Sequence, residues 1–196
     1  MNHLGRVFHT FALVAGLGMG ATHLLAGPGE NIAPGKPASM SSTYTGDNRR
    51  GVNPAGGNDG VISGIYGFHT FVEDHPWWQV DLQKVYDIQS MKIFNRGDGY
   101  QDRADSLQVL VSTDNRNWTP YYTHDAAKSG HIGGKENPLE ITELTRARWV
   151  KIQLLQRNYL HLDEVEIYEK VDPAKLMQQG MPGMPGMPGI SGMPNL

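Results

Sequence analysis

One histidine, two arginines and one aspartate form the part of this sequence best suited to binding chemistry. After His69 come 26 residues, then Arg96-Gly97-Asp98, then four more residues and Arg103. A guanidinium is a planar, permanently charged fork of hydrogen-bond donors, and an imidazole adds one donor or acceptor. Such a set can bind the hydroxyls and ring oxygen of a neutral sugar, although each of these residues alone is more often an ordinary surface side chain.

Short β-strands must position these side chains, because the middle of the sequence alternates apolar and polar residues. The apolar members of the alternating runs are Val80 and Leu82; Leu107, Val109 and Val111; Val150, Ile152 and Leu154; and Val165 and Ile167. Strict alternation is typical of strands with one buried face. Turn-forming triplets such as Asn58-Asp59-Gly60 separate the runs, which predicts an all-β sandwich or barrel.

The two ends of the chain differ from this middle part. Residues 1–26 place Arg6 before an apolar run that ends in small residues, which predicts a signal peptide, with an uncleaved N-terminal anchor as the alternative. We therefore expect a secreted protein, extracellular or periplasmic. The domain itself is predicted to span 30–170. Residues 171–196 contain Met-Pro-Gly repeats, which predict a linker and a disordered tail.

Composition excludes several classes of function. The net charge of −3 gives no basic surplus, so a nucleic-acid partner is not expected. The absence of cysteine excludes disulfides, thiolate catalysis and cysteine zinc sites. The sequence also lacks a nucleophile elbow, an HExxH zinc motif and a phosphate loop. We therefore predict that the protein is not an enzyme.

Three runs of residues resemble the discoidin or coagulation factor type C family of galactose-binding-like domains. They are Trp77–Leu82, Leu107–Asp114 with the following Trp118, and Asp163–Tyr168. This resemblance implies a jelly-roll β-sandwich of about eight antiparallel strands, with a ligand site built by loops at one end. Within that superfamily, the spacing of His69, Arg96-x-Asp98 and Arg103 is similar to that of the F-type lectins, or fucolectins.

The F-type lectin resemblance implies a site for terminal L-fucose. In such a site His69, Arg96 and Arg103 bind the axial 4-hydroxyl, the 3-hydroxyl and the ring oxygen, while Asp98 pairs with the arginines and orients them. The expected partners are fucosylated glycans or glycoproteins, and a homo-oligomer would strengthen weak single-site binding. Contact with a membrane is expected only through glycoconjugates or an uncleaved N-terminal segment.

The sequence departs from many animal fucolectins directly after the Arg-x-Asp. Those proteins have two adjacent cysteines whose disulfide packs on the sugar, whereas this chain has Gly99 and Tyr100. We expect Tyr100 to stack on the apolar face of the sugar instead, as aromatic rings commonly do. Phe68 and Tyr66 are further candidates for the lining of the pocket.

The same resemblance implies a structural calcium ion beneath the binding loops. Its ligands would be side-chain oxygens of Asp59 and Glu164 and backbone carbonyls of Gly56, Val61 and Asp163, with Tyr66 as a further carbonyl candidate. Calcium favours six to eight oxygen ligands, many of them carbonyls. The alternative is an ordinary Asn-Asp-Gly turn beside an exposed acidic strand end.

Two other functions remain open from the sequence. A generic discoidin-type adhesion module could bind another glycan, a protein or a lipid surface. One loop supplies apolar side chains for this, namely Ile62, Ile65, Tyr66 and Phe68. Arg96-Gly97-Asp98 is also the triplet that binds integrins in some proteins, but a triplet of common loop residues recurs by chance.

Overall fold

Antiparallel β-strands dominate the regular structure of the computed structural model, which describes residues 29–46 and 51–172. Within these ranges the strands are β1 (Ala38–Met40), β2 (Phe68–His69), β3 (Trp77–Phe94), β4 (Leu107–Ser112), β5 (Thr119–Thr123), β6 (Leu139–Ile141), β7 (Thr145–Leu154), β8 (His161–Leu162) and β9 (Glu164–Glu169). The short helix α1 (Ala126–Ser129) and the 3₁₀ helices Pro54–Gly57 and Gln101–Ala104 lie between them.

The predictions for the two ends of the chain fall largely outside the described residues. The apolar segment 1–26 lies wholly outside them, and the predicted linker and tail lie outside them from residue 173 onward. Within the described ranges, no helix has the length and apolar character needed to cross a membrane.

The long strand β3 belongs to both layers of the sandwich. Its first part pairs with β1 and β7 in a sheet of order β1–β3–β7–β4–β5, and its last part pairs with β6 and β9. The register shifts between Asp81 and Tyr86, where Gln83 has a left-handed φ of 70°. A bulge of this kind bends a strand and increases its twist. Beyond the bulge β3 still pairs with β7 up to Ile88, where its pairing with β9 begins. All of these pairings are antiparallel, which confirms the predicted all-β sandwich.

The core lies where the alternation of the sequence places it. Every apolar residue of the four alternating runs is buried. Phe68 stacks on Trp78 in the same core, with ring centroids 5.5 Å apart. Burial of each large apolar side chain contributes about 1.5–3 kcal/mol, so these runs supply much of the stability of the fold.

Two local features position the polar residues at one end of the sandwich. The short strands β2 and β8 pair with His69 opposite His161. The loop after β3 is fixed by the fully buried Asn95, which accepts a hydrogen bond from the amide of Arg96 and donates to the carbonyls of Gln101 and Ile132. Asn95 therefore holds Arg96 at a set distance from the 3₁₀ helix that carries Arg103.

Candidate functional site

Four of the predicted residues line one pocket. His69, Arg96, Tyr100 and Arg103 meet there, and Tyr44 and Tyr159 complete a space of about 250 Å³. Typical small-molecule sites span roughly 300–1,000 Å³. A space slightly below that range suits one monosaccharide unit better than an extended chain.

The guanidinium of Arg96 is held by a carboxylate. Its Nε and Nη2 donate to Oδ1 and Oδ2 of Asp98 at 2.5 and 2.7 Å, in the bidentate geometry that suits this pair. The hydrogen bonds from Arg96 lower the pKa of Asp98, against the opposing effect of partial burial. Arg96 also lies over the rings of Tyr66 and Tyr100, at 4.8 and 5.0 Å. Because the side chain of Arg96 is almost fully buried, the Arg-Gly-Asp triplet is poorly placed to bind an integrin.

Arg103 has a different environment. Its guanidinium lies over the rings of Tyr100 and Tyr159, at 4.2 and 4.8 Å, and its Nη1 lies 3.4 Å from Nε2 of His161. We expected Asp98 to orient both arginines. Within the described residues, the ion pair of Asp98 is with Arg96, while Arg103 is held by two rings and an imidazole.

His69 is fixed by its own strand end and by stacking. Its Nδ1 lies 2.7 Å from the carbonyl oxygen of Thr70, which can only accept a hydrogen bond. In the neutral ring Nδ1 therefore carries the proton, and Nε2 is the nitrogen able to accept one from a hydroxyl. The ring of Tyr44 stacks on His69 with centroids 4.5 Å apart, and Tyr159 meets it edge-on at 5.4 Å.

His161 forms the floor beneath these residues. Its ring is 1% exposed and lies 5.0 Å from the ring of His69. Burial, followed by the electrostatic effect of His69, Arg96 and Arg103, lowers the pKa of His161 to about 3. The imidazole is therefore neutral at ordinary pH.

The two other candidates for the pocket lining are buried. Phe68 packs against Trp78 in the core rather than in the pocket, because consecutive residues of a strand point to opposite faces and His69 already faces the pocket. Tyr66 is also buried, beneath Arg96 and edge-on to His69 at 4.9 Å. It supports the pocket from below instead of lining it.

Three pocket residues were missed by the sequence analysis, namely Tyr44, Tyr159 and His161. Tyr159 and His161 flank Leu160, which is buried in the core, so alternation along this segment would have placed both of them on the opposite face. Tyr44 lies in the loop after β1, where the sequence carries no comparable periodic signal.

Of the predicted calcium ligands, Asp59 and Glu164 lie close to each other. The amide of Gly60 donates to Oε1 of Glu164 at 3.0 Å. Oε2 of Glu164 is buried and has no hydrogen-bond partner within residues 29–46 and 51–172. Burial raises the pKa of Glu164 to about 8, and the charge of Asp59 adds to the rise. An orphaned carboxylate oxygen beside a second carboxylate is an arrangement that a bound cation would relieve.

Two predicted carbonyl ligands also lie side by side. A side chain at position 67 would collide with the carbonyl oxygens of Gly56 and Asp163, so both oxygens converge on Gly67. We call Gly56, Asp59, Asp163 and Glu164 the cation group. The carboxylate of Asp163 accepts hydrogen bonds from Ser63 and the Gly64 amide, which agrees with a ligand role for its carbonyl alone.

The other two predicted calcium ligands are placed as follows. Val61 is exposed and its amide donates to Oδ1 of Asp59, whereas the ring of Tyr66 lies under the pocket. Within the described ranges, no three His, Asp or Glu side chains are grouped so as to hold a metal. A calcium ion bound here would therefore depend mainly on backbone oxygens.

Comparison with known proteins identifies a family for most of the described domain. The family model of the F5/8 type C domain matches residues 37–165. Fucolectin-6 of Anguilla japonica is 31% identical over 100 residues, which are 50% of this chain and 52% of that protein. This chain therefore spans about half the length of that relative.

Two solved structures of sugar-binding domains are also similar to this chain over most of the domain. The lectin domain of lectinolysin in complex with Lewis b antigen is 31% identical, with a TM-score of 0.60, and the match covers 72% of this chain and 98% of that chain. A fucose-binding module of Streptococcus pneumoniae is 28% identical, with a TM-score of 0.58 and coverage of 72% and 96%.

Proposed function

This chain belongs to the F5/8 type C domain family, and from that premise we propose that it is a non-catalytic lectin that binds terminal L-fucose on glycans. The observation that carries the proposal is the convergence of His69, Arg96 and Arg103 on one pocket of about 250 Å³. The similarity to a fucolectin and to a fucose-binding module supports the choice of sugar.

The pocket can recognise a sugar through donors that are already oriented. Arg96 uses Nε and Nη2 for Asp98, which directs the rest of its fork toward the pocket. Arg103 supplies a second set of donors, and Nε2 of His69 accepts a proton from a hydroxyl. By resemblance to F-type lectins, the three side chains meet the 4-hydroxyl, the 3-hydroxyl and the ring oxygen of fucose.

Tyr100 supplies the apolar contact in this mechanism. It is 56% exposed and adopts a left-handed φ of 64° directly before the 3₁₀ helix, which projects it at the rim of the pocket. A ring in this position can stack on the apolar face of a deoxy sugar. Because charge-assisted hydrogen bonds must first displace water, we expect a dissociation constant from micromolar to millimolar, or about −8 to −4 kcal/mol.

The cation group adds a proposed structural calcium ion to this function. Asp59 and Glu164 would supply carboxylate oxygens, while Gly56 and Asp163 would supply carbonyls. The orphaned Oε2 of Glu164 supports the proposal, because a bound cation compensates a buried carboxylate. The ion would hold the loop before β2 against β9 and thereby support Tyr66 beneath the pocket.

A lipid- or protein-binding adhesion module is the second candidate function. Phe71 and Val72 favour it, since both are more than one-third exposed and Phe71 contacts Tyr44 beside the pocket, with ring centroids 5.6 Å apart. The exposed side chains of Phe71 and Val72 would also suit contact with the sugar to which fucose is attached. Binding to protein-free lipid vesicles by this chain, lost in Phe71→Ser, would favour the adhesion module over the lectin.

A glycan array tests the lectin proposal. The full chain should bind structures with terminal L-fucose and ignore the same structures without fucose. His69→Ala, Arg96→Ala and Arg103→Ala should each remove that signal. Retention of the signal in all three variants would refute the assigned site, and turnover of an aryl L-fucoside above the blank would refute the non-catalytic function. Secretion and homo-oligomerisation stay predictions.

A further inference from the structure

His161 is a buried polar residue next to the pocket, and the proposed function gives it no task. It lies in β8 opposite His69, with its Nε2 3.4 Å from Nη1 of Arg103. A guanidinium has only donors, so Nε2 must accept and the ring proton must lie on Nδ1. Among the residues that the structure describes, that buried Nδ1 has no hydrogen-bond partner.

The two arginines of the pocket differ in what fixes them. Asp98 accepts hydrogen bonds from two nitrogens of Arg96, which fixes both the plane and the rotation of that guanidinium. Tyr100 and Tyr159 contact the plane of Arg103. A ring face attracts a cation without directing its individual N–H bonds. Among the contacts of Arg103 described above, only the one with His161 is directional.

The buried imidazole of His161 lowers the stability of the fold, which indicates that this residue has a function in the pocket. A buried Nδ1–H without an acceptor carries a desolvation penalty that an apolar side chain of similar size would avoid. We propose that His161 is a positioning residue, which accepts a hydrogen bond from Arg103 and thereby aims the remaining donors of that guanidinium at the sugar. This inference rests on the proposed function, since it assigns a role within the fucose site.

Three substitutions at position 161 separate this role from simple packing. In His161→Gln the side-chain carbonyl can occupy the place of Nε2 and accept from Arg103. In His161→Asn the shorter side chain places its carbonyl near Nδ1, out of reach of Arg103. His161→Leu has no acceptor at all. Packing alone would not rank Gln above both Asn and Leu.

The first measurement is calorimetric titration with methyl α-L-fucoside. We expect His161→Gln to bind within about threefold of the unmodified chain, and His161→Asn and His161→Leu to bind about tenfold more weakly, as for loss of one hydrogen bond to a charged group. Thermal unfolding should show all three variants folded. Equal affinity in all three would overturn the inference.

The second measurement needs no sugar and so separates the inference from the proposed function. Side-chain NMR of the guanidiniums should show slow rotation of Arg103 in the unmodified chain and in His161→Gln, and faster rotation in His161→Asn and His161→Leu. Arg96, held by Asp98, is the internal control and should not change. If fucose fails to bind while Arg103 follows this pattern, the sugar assignment fails and the positioning role stands. Unchanged Arg103 rotation in every variant would overturn that role.

Discussion

The pocket and the cation group differ in whether the side chains that would contact the ligand are already held by partners. Arg96, Arg103 and His69 each have a partner that orients them before any ligand arrives. In the cation group, one buried oxygen of Glu164 has no such partner in the part of the chain that the structure describes. The pocket is therefore preorganised for a neutral ligand, which reduces the cost of binding. The cation group gains from a positive ion, which stabilises the folded state to which it binds.

The largest expected effect is on sugar binding by the pocket. Arg103→Ala removes several charge-assisted hydrogen bonds of about 1.5–3 kcal/mol each, so the affinity for L-fucose should fall at least about 100-fold. Because Arg103→Ala also removes the hydrogen bond to Nε2 of His161, the midpoint of thermal unfolding should fall slightly. Calorimetric titration and a melting curve check the two statements.

Arg146→Ala is the matched control for this substitution. Arg146 is an exposed arginine at the start of β7 and does not line the pocket. It should leave both affinity and stability unchanged. A loss of affinity in Arg146→Ala equal to that in Arg103→Ala would mean that general positive charge, rather than the pocket, attracts the ligand.

The next effect is on the stability of the cation group. Calcium at about 100 times its dissociation constant should add about 2.7 kcal/mol to the free energy of unfolding. Differential scanning calorimetry with calcium and with a chelator measures this difference. Glu164→Gln should abolish it, whereas Glu166→Gln, which lies two residues along the same strand, should retain it. A midpoint that is independent of calcium would exclude the ion.

A smaller effect is expected on the pH dependence of the free energy of unfolding, because His161 is buried at the floor of the pocket. Its pKa is lowered to about 3 in the folded protein, from 6.5. The free energy of unfolding is therefore not reduced by His161 above pH 6.5, and it decreases as the pH falls from 6.5 toward 3. Over this range His161 binds a proton in the unfolded chain but not in the folded protein. At pH 5 the loss should be about 2 kcal/mol.

Urea unfolding at pH 7.5 and pH 5, with a chelator present, measures that loss. His161→Gln carries no titratable group at this position and should show a correspondingly smaller decrease. Parallel decreases in the two proteins would mean that His161 is protonated as readily when folded as when unfolded.

The smallest effect is expected at the rim. Tyr100→Ala removes an exposed ring whose stacking contributes about 0.5–1.5 kcal/mol, so affinity should fall severalfold without a change in stability. Tyr100→Phe keeps the ring and should bind as the unmodified chain does. If the two substitutions weaken the titration equally, the hydroxyl rather than the ring contacts the sugar.

The buried face of each strand could be predicted from sequence, because alternation is a local property of the chain. The resemblance of His69, Arg96 and Arg103 to the spacing in F-type lectins likewise indicated a common site. The bend in β3 could not be predicted, since it depends on a register shift near Gln83. The contact between Arg103 and His161 could not be predicted either, because these two residues are 58 positions apart and meet only when the 3₁₀ helix after β3 lies beside β8.

A structure determined with L-fucose tests the central claim most directly. We predict one sugar in the pocket, with its hydroxyls and ring oxygen within hydrogen-bond distance of Nε2 of His69 and of the guanidiniums of Arg96 and Arg103. Tyr100 should lie against its apolar face. A sugar bound at another surface, with these three side chains free of it, would contradict the account.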